Sequence, residues 1–97
     1  MAKATWNGKV IAEAGNEEVE EVENNIYFPH DSVKWKFLEE HKGYHTTCHW
    51  KGEASYFHVK VDGKVNEDAA WTYKEPSDAA KKIKGYVAFW RGVEFQK

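Results

Sequence analysis

The sequence predicts a mainly β protein with antiparallel strands and two short helices. Dipeptides typical of type I′ hairpin turns stand between extended segments, most clearly Asn7-Gly8 and Asp62-Gly63. Residues 54–61 alternate between two faces, as the side chains of a strand do. Helical spacing with capping residues occurs in only two places. We therefore expect seven or eight strands in one domain spanning residues 1–97.

Two hairpins are predicted near the start of the chain. Residues 4–6 and 9–12 flank the first tight turn, whose positive φ angles suit the twist of antiparallel strands. Residues 19–23 alternate loosely, a turn is expected at Asn24-Asn25, and an extended run over 26–28 ends at a proline.

Two short helices are predicted from their end signals. Asp31-Ser32 resembles an N-cap, and the apolar residues that follow share one helical face in a unit that Gly43 ends. Residues 77–78 can cap a second helix over 79–84, which Gly85 ends.

The remaining segments are predicted strands. Residues 44–51 are extended up to a break at Gly52, and residues 54–61 form the clearest strand of the chain. In that strand one face carries Ser55, Phe57, Val59 and Val61, and the other carries Ala54, Tyr56, His58 and Lys60. A return strand begins at residue 64, another covers 69–73, and the last, 86–90, is expected to be buried on both faces.

Composition excludes several classes of protein. Fourteen basic residues against sixteen acidic ones give a net charge of -2, which argues against a nucleic-acid partner. With 31% charged residues, no segment is apolar enough to span a membrane, and the first residues lack a signal-peptide core. We therefore expect a cytoplasmic protein with no membrane partner. The single cysteine, Cys48, excludes an intrachain disulfide and any site built on a cysteine pair.

Four segments carry a resemblance to a known family. They are YFP at 27–29, TCHWKGEASY at 47–56, AAWTYKEP at 69–76 and GYVAF at 85–89, and they occur in the family's order along nearly the whole chain. The sequence resembles the family catalogued as domain of unknown function 427, which is bacterial and fungal. It departs from the family pattern at His49, where proline is more usual, and has a shorter C-terminus than many members.

The resemblance implies a β-tent-like fold, in which two antiparallel sheets meet at an angle with a pocket between them. Related β-tent proteins often hold zinc with four cysteines, so no structural zinc is expected in a chain with one cysteine. The family has also been given a nucleotidyltransferase-like name, but the carboxylate pair of those enzymes is absent from the sequence.

The best candidate for a binding site is the segment around the Trp50-Lys51-Gly52 motif. The lysine offers a point charge suited to phosphate or carboxylate, and the glycine after it permits a turn or a close approach. The hydroxyls of Ser55 and Tyr56 can orient the same ligand group. The alternative is a glycine turn beside a solvated lysine and a packed tryptophan.

Aromatic residues supply the rest of this site. Trp71 and Tyr73 share one strand face, and Tyr56 is expected on a neighbouring strand, so the three rings can line an apolar pocket or a cation-binding cage. The alternative for each ring is a place in the core.

Metal ligation is a weaker possibility. His45 and His49 would stand about 13 Å apart on a regular strand, too far to share one ion. Glu13 and Glu23 fit the family pattern and are the candidate ligands for Mg²⁺ or Ca²⁺, or a candidate general base.

Three hypotheses for function follow. The first is a module that binds a small polar or anionic molecule between the sheets, with Lys51 supplying charge and Ser55 a hydrogen bond. The second is a divalent-metal-assisted phosphoester hydrolase or nucleotide-processing enzyme that uses Glu13 or Glu23. The third is a protein-interaction module without a small ligand.

Overall fold

Nine antiparallel strands in two sheets make up most of the protein in the computed structural model, which describes residues 1–97. The smaller sheet has the order β2-β1-β9, with β1 at Ala2–Trp6, β2 at Lys9–Ala14 and β9 at Glu94–Gln96. The larger sheet has the order β3-β4-β8-β7-β6-β5. Its strands are β3 (Glu20–Val22), β4 (Asn25–Phe28), β5 (Leu38–Cys48), β6 (Gly52–Val61), β7 (Lys64–Thr72) and β8 (Val87–Phe89). The expected mainly β architecture with two antiparallel sheets is confirmed.

The predicted tight turns form, with one displaced by a residue. Asn7 and Asp62 have φ angles of 50° and 51°, and the glycine after each has a φ of 80°. Such pairs of positive φ angles define the type I′ hairpin. The turn between β3 and β4 uses Glu23 and Asn24, with φ angles of 53° and 66°, in place of Asn24-Asn25.

The two predicted helices are replaced by 3-10 segments. In the first region, 3-10 turns at His30–Ser32 and Trp35–Phe37 are followed by strand β5 from Leu38. In the second region a 3-10 segment covers Asp78–Ile83 and is kinked at Ala80. The capping residues predicted a helix in each region, but neither segment is long enough for an α-helix to be stable without extensive packing.

Each face of the larger sheet covers its own hydrophobic cluster. Phe28, Phe57 and Val59 point into a cluster that also contains β1 and β2 residues such as Ile11. Their strand neighbours point the other way, into a second cluster with the 3-10 segment at 78–83; it contains Tyr27, Ala54, Trp71, Tyr73, Ala80, Ile83 and Ala88. The strand predicted over 86–90 is shorter in the structure: β8 covers only Val87–Phe89, which is buried throughout as expected, whereas Trp90 is exposed.

Strand β6 has an irregular partner on each side. In the pairing of β5 with β6 the register shifts between Glu40 and His45, so residues 41–44 bulge opposite one residue of β6. In the pairing of β6 with β7 the register shifts between Phe57 and Val59. Gly43, which was expected to end a helix, lies in the first bulge with a φ of 83°. Bulges of this kind redirect the side chains they carry.

The helical segments of the structure are all too short to cross a lipid bilayer.

Replacing Phe28 with alanine tests the first hydrophobic cluster. Its side chain is fully buried and packs against the Phe89 ring at 5.9 Å. We expect Phe28→Ala to lower the free energy of unfolding by about 3–5 kcal/mol in urea denaturation. Phe28→Leu should cost less than about 1.5 kcal/mol, and Val65→Ala, at a half-exposed site, about 0.5 kcal/mol or less. Equal losses for Phe28→Ala and Val65→Ala would contradict the placement of Phe28.

Candidate functional site

A cavity of about 240 Å³ opens on the face of the larger sheet that does not pack against the smaller one. Its lining consists of four aromatic rings, an amide and an ammonium group: Tyr56, Trp71, Tyr73, Trp90, Asn25 and Lys51. All six belong to the larger sheet or to the loops that leave it. The expectation of a pocket between the two sheets is therefore wrong, because apolar side chains of both sheets fill that space.

Lys51 reaches the cavity from the tight turn between β5 and β6. The next residue, Gly52, has a φ of 112°, and a Cβ atom there would stand 3.4 Å from the main-chain nitrogen of Ser77. That nitrogen donates to the carbonyl of Lys51 at 2.9 Å, and the Ser77 hydroxyl donates to the carbonyl of Trp50. The glycine is therefore required by its positive φ, a Cβ atom there would be in ordinary contact with the 75–77 segment, and the hydrogen bonds to Ser77 fix the turn that carries Lys51.

The Lys51 ammonium is buried and paired with Glu23. Its side chain is 6% exposed, and Nζ donates a hydrogen bond to Oε1 of Glu23. Nζ also lies 5.4 Å from the ring centroid of Trp50 and 5.5 Å from that of Tyr73. Lysine is rarely buried without a partner, because removing an ion from water is costly. Glu23 and the two rings offset part of this cost.

Charge and burial shift the pKa values of three groups here. Burial opposes the charged form of Lys51, but the hydrogen bond to Glu23 and the neighbouring tyrosines outweigh it, so the pKa of Lys51 is raised. The hydrogen bond from Lys51, with a second from Trp50, lowers the pKa of Glu23. Burial raises the pKa of Tyr73 to about 12. At neutral pH the cavity therefore contains a protonated amine and a protonated phenol.

The aromatic walls are held by contacts with one another and with the sheet. The Trp71 indole donates to the Tyr27 hydroxyl at 3.2 Å, and its ring meets Trp90 edge-to-face at 5.7 Å. The Trp90 indole donates to the carbonyl of Asp68 at 2.6 Å. The Tyr56 hydroxyl is hydrogen-bonded to Thr46 at 2.8 Å. The rings therefore have fixed positions before any ligand enters.

Four of the six predicted binding residues line this cavity: Lys51, Tyr56, Trp71 and Tyr73. Trp50 lies outside the lining, half-exposed, and its indole donates to Glu23 at 3.3 Å. Ser55 is buried on the opposite face of β6 from Tyr56, and its hydroxyl is 3.3 Å from Nδ1 of His45. Its position follows from the strand alternation, since residues 55 and 56 must point to opposite faces.

The two predicted carboxylate ligands have separate partners. Glu13 lies on β2 of the smaller sheet and is paired with Lys3 at 3.6 Å. Glu23 is paired with Lys51. Neither belongs to a group of three or more metal-ligating side chains. One such group exists, formed by His41, His58 and Asp68.

Sequence reasoning missed two residues that line the cavity. Asn25 stands at the start of β4, where the sequence indicated only a turn, and Trp90 follows the buried strand β8. Nothing in local spacing brings either residue near Lys51, because they come from strands that are distant in sequence. In the structure Trp90 is exposed and Arg91 lies 4.6 Å from its ring centroid, and no pattern in the sequence indicated either feature.

A second and larger cavity, of about 550 Å³, lies elsewhere and includes Trp35, Glu40 and Lys74 in its lining. Its two charged groups are exposed or half-buried and pair with each other at 2.8 Å. We take the smaller cavity as the candidate site, because a buried cation among aromatic rings indicates ligand chemistry more strongly than volume does.

The ion pair predicts a pH-dependent stability difference between the protein and a Glu23→Gln variant. Because the Glu23 pKa is lowered in the folded state, its stabilising effect is complete above the ordinary value of 4.5 and is lost as pH falls through the lowered pKa. We expect the variant to melt at a lower temperature at pH 7. The difference should shrink as the pH is reduced below 4.5.

Thermal melts at a series of pH values measure this difference. Glu94→Gln, at an exposed site on β9, is the matched control and should follow the unmodified protein at every pH. A difference for Glu23→Gln that is constant between pH 7 and pH 3 would contradict a folded-state ion pair.

Comparison with known families places the chain in one of them. Residues 1–96 match the family described as Domain of unknown function (DUF427). No match was found among curated proteins. The match covers nearly the full length of the chain and includes the four segments that carry the resemblance. The chain therefore belongs to the DUF427 family.

Proposed function

We propose that this protein is a binding module for a small molecule with a flat apolar body and one anionic or acceptor-rich group. The apolar body would lie among Tyr56, Trp71, Tyr73 and Trp90, with its polar group toward Lys51 and Asn25. The observation that carries the proposal is the buried Lys51 ammonium in the wall of an aromatic cavity.

The polar groups in the wall favour an acceptor on the ligand. The Lys51 ammonium has three N–H donors, of which Glu23 accepts one. Tyr73 keeps its phenolic proton because its pKa is raised to about 12. Asn25 adds an amide that can donate or accept. A carboxylate, phosphate or carbonyl oxygen matches this set of donors better than a cationic group does.

The size of the cavity limits the ligand to a small molecule. An apolar cavity of about 150 Å³ holds one benzene ring, so 240 Å³ has room for a ring with a carboxylate or phosphate substituent. Three of the four rings that line the cavity are already fixed by their own hydrogen bonds, which reduces the ordering cost of binding.

Glu23 occupies the position that an anionic ligand would take beside Lys51. Its side chain is 53% exposed, and it stands on a two-residue turn at the edge of the sheet. Rotation of this side chain into solvent would free the ammonium for a ligand anion. The ligand anion would then supply the charge compensation that Glu23 provides in the empty site.

The hydrolase hypothesis has less support. It needs Glu13 or Glu23 as a metal ligand or base. Glu13 is paired with Lys3 in the smaller sheet, and Glu23 is paired with Lys51 beside the larger sheet, so the two carboxylates have separate partners.

Tryptophan fluorescence titrations test the proposed function. Benzoate and phenyl phosphate represent the anionic class, and benzyl alcohol is the uncharged comparison. We expect at least one anion to bind at least about tenfold more tightly than the alcohol, and Lys51→Met to abolish that preference. Methionine fits because replacing a buried ion with an apolar residue of similar size is often neutral or stabilising.

Lys60→Met is the matched control, because Lys60 is exposed on β6 and pairs with Glu39 at 2.9 Å. It should retain the preference for the anion. A thermal shift gives a second readout, since a ligand at 100 times its Kd stabilises by about 2.7 kcal/mol. Equal anion binding by Lys51→Met and the unmodified protein would refute the proposed role of Lys51.

A further inference from the structure

We propose that His41, His58 and Asp68 form a binding site for a divalent transition-metal ion such as Zn²⁺ or Co²⁺. A ligand atom from each of the three side chains lies within 4.8 Å of the other two. The site is separate from Lys51 and from both glutamates considered above, and it does not depend on the proposed function.

The ligand atoms are close to coordination distances. Oδ1 of Asp68 lies 2.8 Å from Nδ1 of His41 and 3.7 Å from Nδ1 of His58. Metal–ligand bonds of about 2.0–2.2 Å place neighbouring ligand atoms roughly 3.0–3.6 Å apart. All three ligand atoms lie within 4.8 Å of one another, so side-chain movements of about 1 Å or less would bring them into the range of a coordinated ion.

The two bulges beside β6 bring the three side chains together. His41 lies in the bulge of β5, Asp68 lies in the shifted part of β7, and His58 stands on β6 between them. Asp68 has a φ of 52°, a left-handed conformation that aspartate tolerates better than most residues. Bulges are over-represented beside functional sites because they redirect side chains in this way.

The main chain and the neighbouring rings fix the cluster. The N–H of Asp68 donates to Nδ1 of His58 at 3.1 Å, so the lone pair of that nitrogen is held by this hydrogen bond, which an ion bound at Nδ1 must displace. The Trp90 indole donates to the carbonyl of Asp68, and Tyr44 stacks on His41 at 5.0 Å. These contacts order the ligands before an ion arrives.

The chemistry of the donors selects the class of metal. Two imidazoles and one carboxylate suit Zn²⁺, Co²⁺, Ni²⁺ or Fe²⁺, whereas Ca²⁺ and Mg²⁺ prefer sites built from oxygen. The His41 side chain is 41% exposed, so solvent can complete the coordination shell. Since a carboxylate only accepts, Nδ1 of His41 donates the proton shared with Asp68. For an ion to bind at that nitrogen, this proton must leave it, either by moving to Nε2 of the same ring or by passing to solvent.

Calorimetric titration with Zn²⁺ and absorption spectroscopy with Co²⁺ test the site on protein without a polyhistidine tag. We expect one ion per chain and affinity that falls with decreasing pH, because protons compete with the ion for the imidazole nitrogens. His41→Ala and Asp68→Asn should each weaken binding by at least about tenfold. Asparagine suits the left-handed backbone at 68, so the second variant keeps the fold even if the first does not.

His49→Ala is the matched control, because His49 is exposed and outside the cluster. It should bind Zn²⁺ as the unmodified protein does. Three results would overturn the proposal: no stoichiometric binding, binding unchanged in Asp68→Asn, or binding lost in His49→Ala. In the first case the cluster would be a hydrogen-bonded network without a metal. Lys51→Met should leave Zn²⁺ affinity unchanged, which separates this result from that of the anion titrations.

Discussion

Side chains of the larger sheet alternate between two faces, and each face covers a hydrophobic cluster. One cluster includes the smaller sheet, and the other includes the 3-10 segment at 78–83. The covering of the second face is incomplete, which leaves room for the cavity beside Trp71 and Tyr73. The position of the candidate site thus depends on which strand residues face which cluster, and a shift of register by one residue would exchange the two sets.

The buried lysine is the most costly feature of this arrangement. Glu23 compensates its charge from a turn in which a glutamate adopts the left-handed conformation, which is uncommon for that residue. The loop that carries Lys51 is fixed by the segment around Ser77, whose main-chain N–H donates to the carbonyl of Lys51 beside Gly52. An apolar residue in place of Lys51 would avoid the desolvation cost, so the presence of a lysine there favours the proposed role in binding.

The irregular pairings of β6 with β5 and β7 shape a second region of the sheet face that carries the cavity. They place His41 and Asp68 beside His58, while Tyr44 stacks on His41 and lies 5.1 Å from the Tyr56 ring in the cavity wall. Trp90 contacts both regions, since it lines the cavity and its indole binds the carbonyl of Asp68. The proposed metal site and the proposed ligand site are therefore neighbours that share aromatic contacts.

The sequence by itself determined the mainly β class, the type I′ turns, the alternation of residues 54–61, family membership and four of the cavity residues. These are local properties, set by backbone preferences and side-chain period. Only the tertiary structure decided the partner of Lys51, the places of Asn25 and Trp90, and the convergence of His41 with Asp68. Such contacts join residues about 20 or more positions apart, and their geometry depends on bulges and loop packing that local patterns do not encode. The capping signals at 31–32 and 77–78 were also overruled. Both segments are too short for a stable α-helix and form 3-10 turns without a side-chain cap, and the Ser77 hydroxyl instead donates to the carbonyl of Trp50 on another loop.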